Sequence, residues 1–177
     1  MKFESIAEIY AANDDVHGDL KSLVSTISEE AARTPIDGEK WTIAQIVEHI
    51  AMVDDGGSRI CSKLLDKSEA AAASGAGSVT VSDHFLKHYS MISEVKLVAP
   101  DRVQPSGAVS IAESIAQMDE NRVRLRELQP RFEASNGDAT FPHPYFGELS
   151  AVEWLILVGG HKQRHANQIR KLLERLN

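Results

Sequence analysis

The chain has 177 residues, 42% of them hydrophobic and 25% charged, which suits one globular domain spanning residues 1–177. Its 19 Lys and Arg against 26 Asp and Glu leave a formal charge of −7 with no basic block, which argues against a nucleic-acid groove or an anionic membrane face. One cysteine, Cys61, excludes an internal disulfide and a cysteine-based zinc cage, and with no secretory leader or long apolar span in view a cytoplasmic protein is expected.

From Phe3 to about Ala32 the apolar residues Ile6, Ile9, Tyr10, Val16, Leu20, Leu23, Val24 and Ile27 recur with a helical period, predicting one long amphipathic helix. After the turn Thr34-Pro35-Ile36-Asp37-Gly38, Thr42 and Gln45 form a capping box that opens a second helix, ending near Lys67. Ser68 to Thr80, with the run Ser74-Gly75-Ala76-Gly77-Ser78, is expected to be a flexible crossing loop. A short helical piece is allowed within Phe85 to Val98. A third long helix is predicted from about Ala108 to Gln129, and Pro130 to Gly147 is predicted to be loop. Ser150 and Glu153 form a second capping box, starting a fourth helix that runs almost to Asn177. Four helices and no convincing period-2 strand predict an all-α four-helix bundle, and the long connection between helices two and three implies a crossover that lets those two run parallel.

On the fourth helix, Ala151, Trp154, Leu155, Val158, Ile169 and Leu172 define the buried stripe, and His161 and His165 occupy positions on that same stripe. Their i, i+4 spacing stacks two imidazoles where one ion can reach both. Two histidines rarely complete a site, and His49, on the flank of the second helix's stripe between Ile46 and Val53, is the best third ligand. Three neutral imidazoles with an open position suit Zn²⁺, Ni²⁺ or Fe²⁺. A single core-facing histidine, by contrast, is usually just a hydrogen-bonded core residue.

The segment Trp41-Thr42-Ile43-Ala44-Gln45-Ile46-Val47-Glu48-His49-Ile50 resembles the second helix of the DinB/YfiT-like superfamily. The stretch His143-Pro144-Tyr145-Phe146-Gly147-Glu148-Leu149-Ser150-Ala151-Val152-Glu153-Trp154-Leu155, with His161-Lys162-Gln163-Arg164-His165, resembles its fourth. The resemblance implies a four-helix bundle holding a divalent metal on His49, His161 and His165, and it does not imply DNA binding. It also implies that homodimers are common and that a low-molecular-weight thiol is a cosubstrate in transfer to an electrophilic small molecule. Metal-dependent hydrolysis on the same site, or a non-catalytic metal- or ligand-binding bundle, stands as the alternative.

Asn13 and His17 fall on the apolar face of the first helix and Arg122 on the stripe of the third, making them candidate pocket residues, Arg122 as a carboxylate clamp. A water-filled void is the rival for the first two, and an outward or acid-paired guanidinium for the third. His84 and His88 read as a solvated surface pair, Trp41 and Trp154 as core and staple residues, and Cys61 as an inert small hydrophobe. The pairs Gly56-Gly57 and Gly159-Gly160 suggest that close packing or a ligand needs room there. Ile156 and Leu157 lie off the ligand stripe and need cover from a neighbouring helix or from a second subunit.

Overall fold

The computed structural model describes residues 3–70, 79–91, 97–135 and 138–176. Its helices are α1 (Ile6–Ser25), α2 (Glu29–Arg33), α3 (Ile43–Ala70), α4 (Asp83–Met91), α5 (Ile111–Ala134) and α6 (Ala151–Leu176). The four long ones, α1, α3, α5 and α6, make a four-helix bundle. Arg131 of α5 reaches Asp66 and Glu69 near the end of α3, while Asn121 reaches Ala51 and Arg124 reaches Asp55, so α3 and α5 run parallel. His17 meets Asp119 while Tyr10 meets Leu125, so α1 and α5 are antiparallel. The crossover between α3 and α5 carries α4 and a 3-10 turn at Asp101–Val103. The Ser74 to Ser78 run lies outside the described residues.

Local sequence chemistry sets the ends. Thr42 Oγ1 accepts from Gln45 N–H and Gln45 Oε1 accepts from Thr42 N–H, closing the expected box at the start of α3. Ser150 and Glu153 do the same for α6. Glu153 also accepts from the Ser82 backbone and hydroxyl, which ties the start of α4 to the start of α6.

Three expectations change. The first helix stops at Ser25, because Ser28 accepts from Ala31 N–H and caps a separate short helix. The third long helix starts at Ile111, where Ser110 and Glu113 form a capping box, and passes Pro130 to end at Ala134. Pro130 and Arg126, the residue four earlier whose helix bond it removes, are both exposed, so the break falls on the outer flank of the helix. The Pro130 to Gly147 segment is not all loop either: β1 (Thr140–His143) and β2 (Gly147–Ser150) form an antiparallel hairpin. Gly147, at φ 70°, takes the left-handed conformation that closes its turn.

The core divides into two clusters, one around Tyr10, Leu65, Phe85, Phe132 and Trp154, the other around Leu20, Ile46, Ile50, Met118 and Ile169. Ile156 and Leu157 are buried within this one chain, so the cover they need does not come from a second subunit. Among the described residues no helix is long and apolar enough to cross a membrane.

Candidate metal centre

His49 sits two turns into α3, and His161 and His165 sit mid-way along the antiparallel α6. The bundle brings them together: one nitrogen from each lies within 4.8 Å of the others. Their ring centroids are 4.5 to 5.1 Å apart. His49 Nε2 and His161 Nε2 are 3.1 Å apart.

Hydrogen bonds outside the cluster choose the tautomers. His49 Nδ1–H donates to the Val103 carbonyl (2.8 Å) and His165 Nδ1–H donates to Gln168 Oε1 (2.8 Å). Both therefore present a bare Nε2 lone pair inward, the arrangement that histidine ligands require. The Val103 carbonyl is held in place by Glu48, next to His49. This buried carboxylate accepts from Ser106 N–H and hydroxyl and from Gly107 N–H, fixing the crossover against α3. Trp41 packs on His49 at 4.8 Å between ring centroids.

His161 completes the case for fit. If its proton is on Nε2 and points at His49, its buried Nδ1 is an acceptor with no partner. If the proton is on Nδ1, a buried donor is unpartnered and two lone pairs face each other at 3.1 Å. Neither state is satisfied by protein alone, whereas a cation among three nitrogens resolves the lone-pair conflict. Burial, and then the neighbouring histidines, hold His161 well below its ordinary pKa; burial likewise lowers His49, and His165 to about 4. All three are thus uncharged near neutrality, as ligation demands.

Beside His161 opens a cleft walled by α3, α4, α6 and the hairpin. Its lining includes Val53, Gly57, Tyr89, His143, Trp154 and Arg164. Gly57 is where α3 meets Val158 of α6; a Cβ there would stand 2.6 Å from Val158 Cγ2. Gly159 makes room for Asn13 of α1, and Gly160 for the Tyr89 hydroxyl.

Asn13, His17 and Arg122 line a different cavity, with Tyr10, Asp54 and Lys162. Asn13 Nδ2 donates to the Leu155 carbonyl and His17 Nε2 to Asp119, while Arg122, half exposed, pairs with Asp14 (2.6 Å). The structure therefore gathers the three proposed ligands and leaves these three residues apart from them. His84 is exposed and donates to the Phe146 carbonyl, so the surface pair with His88 also pins α4 to the hairpin. Cys61 is fully buried, its thiol pushed up to about 12 by burial. Sequence patterning missed His143, whose hairpin shows no helical period. It also missed Gln168, which the i, i+3 spacing from His165 could have found.

A model of the DinB superfamily matches residues 12–169. The uncharacterised protein YuaE of Bacillus subtilis (strain 168) is 19% identical over 151 residues, 85% of this chain and 88% of its own length. The crystal structure of TT2238, a four-helix bundle protein, matches with a TM-score of 0.62 at 22% identity, covering 94% of this chain and 98% of that one. That likeness shows the bundle, and the family model spans most of the chain. By that match, the chain belongs to the DinB superfamily.

Proposed function

We propose that the protein is a divalent-metal-dependent enzyme that transfers a low-molecular-weight thiol to an electrophilic small molecule, with His49, His161 and His165 as the ligands. The observation that carries the metal is the pair of Nε2 atoms 3.1 Å apart, flanked by an unpartnered, buried His161 Nδ1. A divalent ion of the zinc, nickel or iron kind supplies positive charge that lowers a thiol's pKa from its usual value of about 8.5. In the transfer, sulfur forms the new S–C bond, the leaving group departs with its bonding pair, and the thiol proton goes to solvent.

The chain's own residues favour thiol over water as nucleophile. Water is a far weaker acid, and hydrolysis is helped by a carboxylate base beside it. No Asp or Glu is among the described residues lining the cavity at His161. Glu48 is already occupied by Ser106 and Gly107, and Asp54, paired through Oδ2 with Lys162, lines the other cavity. Val53, Leu157 and Trp154 instead offer apolar walls to an electrophile.

The test offers a panel of electrophiles to the metal-loaded protein with and without small thiols, with His165→Ala as control. Turnover that needs the thiol and is lost in the control is expected. Turnover equal without thiol, and lost in the control, would overturn thiol transfer in favour of hydrolysis.

A further inference from the structure

The cavity at His161 has a one-sided chemistry. In a chain of net charge −7, its described lining carries no carboxylate. The wall is apolar, from Val53, Leu97, Phe146, Trp154, Leu157 and Val158, and the polar side chains on it besides His161 are Tyr89, His143 and Arg164.

His143 is the last residue of β1, and the hairpin turn folds back onto its ring. Nδ1 faces two backbone donors, Tyr145 N–H at 3.1 Å and Phe146 N–H at 3.3 Å. A nitrogen that meets two N–H groups is the acceptor, so the ring proton resides on Nε2. Trp154 and Phe146 pack against the ring at 5.3 and 5.0 Å between centroids, which fixes its orientation. No acceptor among the described residues meets Nε2. The ring is uncharged near neutrality, because burial lowers its pKa to about 4. A neutral imidazole with a locked tautomer, on the wall of an apolar cavity, is a hydrogen-bond donor prepared for a ligand atom.

We propose that this cavity binds a compact apolar molecule bearing one acceptor oxygen, a carbonyl, and that the Nε2–H of His143 is the donor that holds this oxygen. The inference rests on the function proposed above in taking the cavity as the electrophile's site, and it names the class of electrophile: an acyl compound whose carbonyl oxygen takes the C=O π pair as the S–C bond forms and returns it as the leaving group departs with its bonding pair. His143 is then a polarising donor, and Val53, Trp154 and Leu157 receive the carbon body.

The test uses the full chain freed of metal, so that ligand binding is read independently of the histidine cluster. Calorimetric titration compares 4-phenylbutan-2-one with butylbenzene, which has the same skeleton with the carbonyl replaced by methylene. The wild type is expected to bind the ketone about tenfold more tightly, the size of one hydrogen bond to a prepared donor. In His143→Asn, the amide oxygen takes the place of Nδ1 for the turn while the Nε2–H donor is gone. This variant is expected to lose the preference and keep the affinity for butylbenzene, whereas Tyr89→Phe keeps most of the preference. As a second readout on the wild type, the His143 Nε2 resonance in a long-range ¹H–¹⁵N spectrum is expected to shift on adding the ketone and not the hydrocarbon. Equal affinities, no binding of either probe, a preference that survives in His143→Asn, or an unmoved Nε2 signal would overturn the proposal. Failure of metal uptake leaves these results intact, so the two readings fail separately.

Discussion

Lys162 Nζ lies 2.7 Å from Asp54 Oδ2 in the middle of the bundle, with 6% and 3% of the two side chains exposed. The pair joins α3 to α6 one residue beyond His161 and five beyond His49, so it links the two helices that carry the proposed ligands. Burial raises the Asp54 pKa and Lys162 opposes the rise. Removing one partner strands the other charge. Asp54→Ala is expected to cost about 3–5 kcal/mol in urea denaturation, and the double variant Asp54→Leu with Lys162→Met to recover most of that. Near-additive losses would show that the two charges do not act as a pair.

The adjacent glycines of α3 separate packing from propensity. A Cβ at Gly57 would meet Val158 at 2.6 Å, whereas one at Gly56 meets nothing within 4 Å. Gly57→Ala should destabilise by about 1–3 kcal/mol by forcing α3 from α6. Gly56→Ala should stabilise by about 0.5–1 kcal/mol through helix propensity alone. Equal effects at both positions would contradict the close helix approach.

The outer partners of the histidines give a third prediction. Gln168→Leu removes the acceptor of His165 Nδ1–H, and Glu48→Gln weakens the clamp that presents the Val103 carbonyl to His49. Each is expected to lower metal affinity about 10- to 100-fold in a chelator competition while leaving the helical circular dichroism unchanged. Unaltered affinity in both variants would mean that these contacts do not orient the ligands.

Acid sensitivity follows from the same burial. His17, His49, His143, His161 and His165 all have lowered pKa values, those of His143 and His165 near 4. In the unfolded chain histidine takes its proton near pH 6.5, so between about 4 and 6.5 the unfolded state binds more protons. Stability is therefore complete above that window and lost as pH falls through it. The melting temperature of the metal-free protein is expected to drop from pH 7 to pH 5; a flat or rising trend would contradict neutral burial of these rings.

Much of this could be read from residue spacing, because a helix repeats every 3.6 residues and the ligands lie on three such turns. His161 and His165 stand on the apolar stripe of α6, and His49 on the flank of that of α3, which is enough to place them in one interior. What escaped depends on contacts without a period. Val103 meets His49 where Glu48 ties Ser106 and Gly107 of the crossover to α3, and nothing near Val103 announces it. The strands of the hairpin are four residues long and largely exposed, so they lack the buried alternation by which a strand is recognised. Ile156 and Leu157 called for cover from a neighbouring helix or a second subunit, a choice that spacing leaves open, and the single chain buries both. Arg122 sits on the stripe of α5 but turns outward to Asp14, a choice that the stripe alone does not reveal.

The most direct measurement is metal stoichiometry. Protein made without an affinity tag is stripped, then titrated with Co²⁺ while the visible absorption of the bound ion is followed, with elemental analysis of the unstripped sample alongside. One equivalent is expected in the wild type, falling off as pH drops toward the imidazole range, and none in His165→Ala of unchanged helicity. Less than a tenth of an equivalent of any transition metal, with no uptake on titration, would contradict a metal centre on His49, His161 and His165.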